Sequence, residues 1–229
     1  MKKKILILAG GFSKEREISL KTARGVFNQI KKKYNVKIIE PNGQLIKNLR
    51  SFKPNVVFNA LHGRYGEDGY VQSILESEKI KYTHSGVLSS SIAIDKEISK
   101  KIFSKNNILT PKYIKFKFDK LIKKNVLIKK IKSKLGFPVV IKPFNEGSSV
   151  EVYICNKKNF FKKLNTLSPY KEVMIEKYIP GREIQVAIMG KRKLGAIELV
   201  PKRKFYDYQA KYNVKSKTKH IIPVKINKK

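Results

Sequence analysis

The chain has a single cysteine, no tryptophan and no long apolar run. Its only cysteine among 229 residues is Cys155. A single cysteine excludes an internal disulfide framework and fits a reducing compartment, so we expect a cytoplasmic location. No apolar run approaches the roughly 20 residues that cross a bilayer, which argues against membrane insertion. The stretch MKKKILILAGG has an apolar run that is short for a secretion signal, and we interpret it as a first buried strand.

Acidic residues are also scarce, with 17 of them against 52 basic residues and a formal net charge of +35. Such a charge attracts polyanions, so polyanion binding is one hypothesis. However, 45 of the basic residues are lysines, and they are spread along the whole chain. Nucleic-acid sites tend to use arginine for bidentate contacts, and no known DNA- or RNA-binding motif is present. We therefore favour a biased composition and expect no specific nucleic-acid partner.

Segments with strand-like and helix-like periodicity alternate over the first ninety residues. This βαβαβ order predicts a parallel sheet with helices on both faces, a Rossmann-like domain over residues 1–94. Ligands of such sheets bind at the carboxyl ends of the strands, where GGFSKEREIS (10–19) and HGRYGEDG (62–69) lie. We predict the three buried strands at residues 5–8, 36–39 and 56–58.

The pattern becomes mixed from about residue 95. The stretch IKFKF (114–118) alternates apolar residues with lysines, as a half-exposed antiparallel strand does. A helix is predicted over residues 121–135, and a hairpin with EGSS (146–149) at its tip follows. These segments predict a small α+β domain over residues 95–175.

A further hairpin begins at residue 183. Its predicted strands are EIQVAIM (183–189) and LGAIEL (194–199). We expect this hairpin to expose an apolar face and an unpaired edge. The remaining residues predict a long loop and a short piece of strand at 221–224. We assign residues 176–229 to the beginning of a third domain.

Charged side chains follow two of the predicted strands. Glu15 could hold a cationic amine at the open edge of the sheet, or could lie in the first turn of a helix for structural reasons. His62 or Arg64 could bind a carboxylate. Glu67 and Asp68 could instead fix their loop by accepting backbone hydrogen bonds. Both interpretations of this second loop stay open.

The loop after Lys142 has the composition of a phosphate site. Gly147 allows close approach of the backbone, the hydroxyls of Ser148 and Ser149 can donate to phosphate oxygens, and Lys142 adds charge. The spacing is not that of the common GxxxxGK[ST] loop, which opens a helix. Without its neighbours, the loop would be interpreted as an ordinary hairpin tip.

Two later segments have ligand-binding candidates. In EKYIPGRE, Glu176 and Glu183 could accept hydrogen bonds from an adenine amine or ribose hydroxyls, although exposed loop charges are the simpler interpretation. FYDYQAKY (205–212) places four aromatic residues in a lysine-rich region. That segment could be a lid over a ligand, or a loop packed on its own domain.

The order and spacing of these motifs resemble the D-alanine–D-alanine ligases of the ATP-grasp superfamily. The resemblance extends over residues 10–212. It implies a mixed α/β and α+β architecture: a Rossmann-like (pre-ATP-grasp) substrate domain, a small central subdomain and an incomplete large third subdomain. The similar stretches are GGFSKEREISL, LHGRYGEDGYVQ, SSSIAIDKEISK, GFPVVIKPFNEGSSVEV, IEKYIPGREIQVAI and FYDYQAKY.

This resemblance implies an enzyme that joins two D-alanines for the peptidoglycan precursor of the cell wall. The carboxylate of the first D-alanine is phosphorylated by ATP. This first step forms ADP, and the amine of the second D-alanine then attacks the acyl phosphate and releases phosphate. The implied cofactors are ATP and Mg²⁺ or Mn²⁺, the partners are D-alanine and ATP, and the implied assembly is a homodimer.

The resemblance also assigns residues to the two substrates. Glu15 would anchor the ammonium of the first D-alanine in a hydrogen-bonded set with Ser148 and Tyr212, the three catalytic candidates. His62 would lie near the carboxylate of that substrate. The ATP candidates are Lys96, Lys142 and Lys211 with Glu146, Gly147 and Ser149 at the phosphates, Glu176, Lys177 and Ile179 at the adenine, and Glu183 at the ribose.

Two features depart from the family pattern. Relatives usually have glycine after GSSV, where this chain has Glu151, whose carboxylate could repel phosphate. Relatives also continue into a part that has a catalytic arginine and the Asp, Glu and Asn ligands of magnesium. We therefore assign no metal ligand within residues 1–229 and expect this form to be inactive or impaired. A non-catalytic remnant that binds nucleotide or D-alanine is the alternative.

Overall fold

The structure is a computed structural model that describes residues 1–119, 123–203 and 205–226. It divides into two compact units, residues 1–108 and 109–229. The boundary predicted at residue 94 falls inside the first unit, and the division into three domains stays a prediction. In the part of the chain that the structure describes, no helix combines the length and apolar character needed to cross a membrane.

The first unit is built on a four-stranded sheet with the strand order β2-β1-β3-β4. All of its strand pairs are parallel, which confirms the predicted parallel sheet. Strand β4 has two residues and was not predicted. The elements are β1 (Lys4–Leu8), α1 (Arg16–Ile30), β2 (Asn35–Ile39), α2 (Leu45–Phe52), β3 (Val56–Asn59), α3 (Tyr70–Ser77), β4 (Lys81–Tyr82), α4 (Val87–Ile94) and α5 (Lys96–Lys105).

Both faces of this sheet are covered by helices. Successive strand residues point to opposite faces, so β1 contributes to two cores. Leu6 and Leu8 pack in one cluster with Leu49 of α2, and Ile7 packs in another with Ala23 of α1. Because β1 and β3 run parallel, the loops that follow them leave the same edge of the sheet.

Lysines occupy several left-handed backbone positions. Helix α2 ends at Lys53, whose backbone N–H donates to the carbonyl of Leu49 at 2.8 Å. This conformation at a helix end is most often taken by glycine. The lysines with positive φ are Lys53 (51°), Lys79 (55°), Lys171 (57°) and Lys217 (48°).

The second unit contains two antiparallel sheets, with the strand orders β5-β8-β6-β7 and β11-β10-β9. The residues 121–122, with which the predicted helix 121–135 begins, lie outside the described residues, and the helix is observed from Lys124. The elements are β5 (Tyr113–Lys117), α6 (Lys124–Lys134), β6 (Val139–Pro143), β7 (Tyr153–Cys155), α7 (Phe160–Asn165), β8 (Glu172–Lys177), β9 (Glu183–Met189), β10 (Arg192–Val200), α8 (Tyr208–Tyr212) and β11 (Lys219–Ile221).

The two faces of the first of these sheets differ in character. Helices α6 and α7 cover one face and bury Phe160 completely. The other face has charged residues. Met174 of β8 lies between Lys115 of β5 and Lys142 of β6 in the strand register, and Glu176 follows two residues later on the same face. This register places Lys142 and Glu176, two of the candidate ATP-binding residues, close together on one face of the sheet.

The hairpin of β9 and β10 has the exposed apolar face that the sequence predicts. Val186 is 60% exposed, Ile188 66% and Leu194 55%. Strand β9 is an edge of its sheet, because β10 lies between it and β11. The prediction of an exposed apolar hairpin is therefore confirmed.

Two predictions for the residues after β10 are wrong. The short strand is not at 221–224 but at Lys219–Ile221, where it pairs with Glu198–Val200. Pro223 has no N–H with which to extend the strand pairing. The predicted loop also contains α8, whose N-terminus is capped by Asp207: its Oδ1 accepts from the backbone N–H of Ala210 at 2.8 Å. A helix of five residues is too short to show a helical period in the sequence.

Candidate functional site

Glu15 and His62 lie at the carboxyl ends of neighbouring parallel strands. Glu15 directly precedes α1, and its side chain is only 5% exposed. His62 Nδ1 is 3.9 Å from Glu15 Oε1, which is longer than a hydrogen bond. A carboxylate this buried favours a cationic partner. The geometry is compatible with the predicted ammonium anchor, whose role stays a prediction.

The glycine-rich loop after β3 is held by two buried amides. The Nδ2 of Asn59 and the Nε2 of Gln72 donate to the Gly66 carbonyl at 2.8 and 2.7 Å. Both side chains belong to residues that are 1% exposed. A Cβ at Gly66 would lie 2.2 Å from that of Leu61, so this position requires glycine. The loop is therefore rigidly placed beside the sheet edge.

The acidic residues of that loop have structural contacts. Glu67 Oε2 accepts from the backbone N–H of Gly63 at 3.0 Å, and Asp68 Oδ1 accepts from that of Tyr70 at 3.1 Å. These are the loop-fixing contacts that the sequence left open as one interpretation. His62 approaches Glu15 from this loop, and Gly63 lies beside it.

His84, which the sequence analysis missed, lies just after β4 and has a φ of 83°. Desolvation lowers the pKa of its imidazole below the ordinary value of 6.5, a nearby Glu67 carboxylate raises it, and His62 lowers it. The ring thus lies near two residues of the His62 loop. The only sign of the preceding strand in the sequence was KYT (81–83), in which polar residues flank one tyrosine, and three residues are too few to identify a strand.

We expect His84→Asn to reduce the loss of stability that acid causes. Because the folded-state pKa lies below 6.5, the unfolded state binds more protons as the pH falls through about 6.5, and protonation favours unfolding. Asparagine tolerates left-handed backbone but does not titrate. Urea unfolding of both proteins between about pH 7.5 and 5 measures the effect. Equal pH dependence in the two proteins would contradict the prediction.

In the second unit, the structure brings Lys142 and Glu176 together. Lys142 Nζ is 2.5 Å from Glu176 Oε2, and the side chains are 19% and 8% exposed. They lie diagonally on adjacent strands, since Lys142 is opposite Met174 and Glu176 is opposite Val140. The lysine predicted for phosphate and the glutamate predicted for adenine therefore form one ion pair.

The phosphate-loop candidate, defined as residues 144–152 between β6 and β7, contacts the aromatic segment 205–212. Ser148 Oγ is 2.7 Å from the Tyr212 hydroxyl. Ser149 Oγ donates to the Tyr206 carbonyl at 3.0 Å. Ser148 and Ser149 have φ values of 47° and 61°, so two successive residues are left-handed. The aromatic segment therefore packs against the phosphate loop through its own backbone and a side chain.

Glu183 and Lys211 interact electrostatically beside this contact. Desolvation raises the pKa of Glu183, and the positive charge of Lys211 opposes that change. The Lys211 Nζ lies 5.3 Å from the centre of the Tyr206 ring. Burial raises the pKa of Tyr206, and the negative charge of Glu183 adds to the effect. The residues predicted for ribose and phosphate are thus within electrostatic reach of each other.

The remaining candidates are placed as follows. Lys96 is the first residue of α5 and belongs to the first unit with Glu15 and His62. Lys177 ends β8, and Ile179, which is 57% exposed, lies two residues after it. Glu146 and Gly147 lie in the phosphate loop directly before Ser148.

The donor set of the second unit fits a polyphosphate. The lysine ammonium, two serine hydroxyls and left-handed backbone are groups that bind phosphate oxygens. Among residues 1–119, 123–203 and 205–226, no group of three or more His, Cys, Asp and Glu side chains could hold a metal ion.

Comparisons with known proteins give closely related ligases. A family model described as the D-ala D-ala ligase C-terminus matches residues 102–229. The D-alanine–D-alanine ligase of Pelagibacter ubique is 64% identical over 229 residues, which is 100% of this chain and 75% of that protein. That of Wolbachia pipientis wMel is 44% identical over 225 residues, covering 97% of this chain and 69% of that protein.

Solved structures of D-alanine–D-alanine ligases also resemble this chain. The D-alanine–D-alanine ligase from Bacillus anthracis has a TM-score of 0.81 at 35% identity, covering 98% of this chain and 73% of that chain. Its structure complexed with ATP has a TM-score of 0.77 at 32% identity, covering 98% and 72%.

The fold and these matches therefore define a ligase of the ATP-grasp class. The matches extend over both units of the chain. The chain belongs to the D-alanine–D-alanine ligase family.

Proposed function

We propose that the function encoded in this chain is the ATP-dependent ligation of two D-alanines to D-alanyl-D-alanine, for peptidoglycan precursor synthesis. The observation that carries the proposal is the 2.7 Å contact between Ser148 Oγ and the Tyr212 hydroxyl. It joins the phosphate loop to the aromatic segment through two of the three residues that the family pattern assigns to the first D-alanine. Membership of the ligase family supports the same conclusion.

The D-alanine candidates have suitable chemistry. The buried carboxylate of Glu15 would hold the ammonium of the first D-alanine. His62 would lie near the substrate carboxylate. Ser148 and Tyr212, already in contact, would complete the hydrogen-bonded set. These groups orient the substrate, so that its carboxylate is the group presented for phosphorylation.

Some of the candidate ATP-binding residues would neutralise the charge of the phosphates, and others would contact the adenine or the ribose. When bound, ATP supplies the phosphoryl group that activates the carboxylate. Lys142, Lys96 and Lys211 would neutralise charge on the phosphates, while the loop N–H groups and hydroxyls would orient them. The aromatic segment 205–212 would help to exclude water from the acyl phosphate. Glu176, Lys177 and Ile179 would line the adenine, and Glu183 would accept from the ribose.

The location and assembly are parts of the same proposal. We propose a cytoplasmic enzyme, because the reaction consumes ATP and the single cysteine fits a reducing compartment. A homodimer is proposed from the family resemblance, with no specific nucleic-acid partner.

Thermal unfolding of the chain with ATP tests the proposal. A ligand at 100 times its Kd stabilises a protein by about 2.7 kcal/mol, so ATP should raise the Tm clearly. D-alanine added with ATP should raise it further, while L-alanine is the matched control. A Tm that does not change when ATP is added would contradict the proposal.

Phosphate release in the same samples separates ligation from binding alone. Release that depends on D-alanine supports ligation by this chain. Stabilisation without release would favour the non-catalytic remnant.

A further inference from the structure

Glu151 places a carboxylate within the phosphate loop, three residues after Ser148. It is the third residue of this loop, besides Ser148 and Ser149, that has left-handed backbone without being glycine, with a φ of 54°. A carboxylate near a polyphosphate opposes binding, because like charges repel and the effect grows as water is excluded. The side chain therefore needs to be held away from the ligand if the loop is to bind phosphate.

The neighbouring strand supplies a group that holds it. The hydroxyl of Tyr153, the first residue of β7, donates to Glu151 Oε2. Glu151 lies in the left-handed turn two residues before this strand position. The contact directs the carboxylate towards β7.

Tyr153 is in turn held by α7. The Nζ of Lys163 lies 4.5 Å from the centre of the Tyr153 ring, in cation–π geometry. The helix that carries Lys163 buries Phe160 and Leu164 in the core of the second unit. A continuous series of contacts thus runs from a packed helix through Tyr153 to the phosphate loop.

We propose that Glu151, Tyr153 and Lys163 form an anchor that positions the phosphate loop and keeps the Glu151 charge away from bound phosphate. They are positioning residues, because they act through the loop rather than on the substrate. The proposal rests on the proposed function in one respect, the binding of ATP phosphates by this loop.

A double-mutant cycle tests the electrostatic part of the proposal. Tyr153→Phe removes this hydrogen bond to the carboxylate, and we expect it to weaken ATP binding about fivefold, as one added like charge near the phosphates would. Glu151→Gln has the same shape without the charge. In the Glu151→Gln background, Tyr153→Phe should therefore change the Kd less than about twofold. Calorimetric titration with ATP at low salt gives the four Kd values.

A merely structural tyrosine would give a different pattern. Tyr153→Phe would then weaken ATP binding equally in both backgrounds, and this result would overturn the proposal. Weaker ATP binding by Glu151→Gln alone would also overturn it, because the carboxylate would then favour the ligand. Tyr170→Phe, the same change at another tyrosine beside this core, should leave the Kd unchanged.

Hydrogen exchange tests the anchor without any ligand. Tyr153→Phe and Lys163→Met should each speed exchange of the backbone amides in residues 144–152, whereas Tyr170→Phe should not. Unchanged exchange in both anchor variants would overturn the proposal even if ATP binds. If the wild-type chain binds no ATP but the loop exchange responds as expected, then the proposed function fails and the anchor stands.

Discussion

Replacing Lys142 by methionine is expected to lower the affinity for ATP by about 10- to 100-fold, because a hydrogen bond to a charged group contributes about 1.5–3 kcal/mol. The same change should destabilise the protein. Glu176 would lose the cation 2.5 Å away while its side chain is only 8% exposed. Breaking a buried ion pair in this way costs about 3–5 kcal/mol, and the partial exposure of Lys142 places the cost at the lower end.

Two further variants separate the two effects. Lys117→Met removes the same charge from the same sheet at a side chain that is 45% exposed, and should change stability by about 0.5 kcal/mol or less. Lys142→Met combined with Glu176→Gln should recover stability, because no carboxylate is left without its cation, but not ATP affinity. Urea unfolding and calorimetric titration measure both quantities. Unchanged ATP affinity in Lys142→Met would remove Lys142 from the site.

The second large effect is expected from Phe160→Ala, which should lower the free energy of unfolding by about 3–5 kcal/mol. The side chain is fully buried. Its ring centre lies 6.0 Å from that of Phe137 and 5.2 Å from that of Phe161, in edge-to-face arrangements. Removing it leaves a cavity between helix α7 and the sheet that these neighbours cannot fill.

Cys155 provides a direct measurement of this change. It is the only cysteine, it is fully buried in the same core, and burial raises the pKa of its thiol to about 11. Thiol labelling therefore reports the opening of this core and should begin at lower urea in Phe160→Ala. Phe161→Ala, at a partly buried side chain, should shift labelling less. Labelling of Phe160→Ala at the wild-type urea concentration would contradict the prediction.

The parallel sheet was predictable because each of its longer strands and helices can be recognised from its own short stretch of sequence. Short buried strands such as β1 and β3 appear as apolar runs, and the intervening helices have their own period. Strand β4 and helix α8 were missed because two and five residues are too few to show any period. The position of β11 depended on its pairing with β10, which no local pattern contains.

The residues of the site were predictable, but several of their contacts were not. Lys142 and Glu176 are 34 positions apart, and only the register of β6 with β8 brings them together. The direction of the Glu151 side chain depends on Tyr153, two residues away. That spacing was visible in the sequence, yet a left-handed residue between loop and strand could not be recognised from it.

The lysines at left-handed positions bear on the meaning of the net charge. Left-handed backbone costs a residue with a Cβ roughly 1–2 kcal/mol, and glycine avoids this cost. At Lys53 the favourable field of the helix end offsets part of it, by about 0.3–1 kcal/mol. If the lysines had been selected to bind a polyanion, they would be concentrated where the ligand contacts the surface. They would not be expected at left-handed positions, which are conformationally unfavourable. Lysine at these left-handed positions indicates a preference for this amino acid along the whole chain, so the net charge of +35 is a poor guide to what the protein binds.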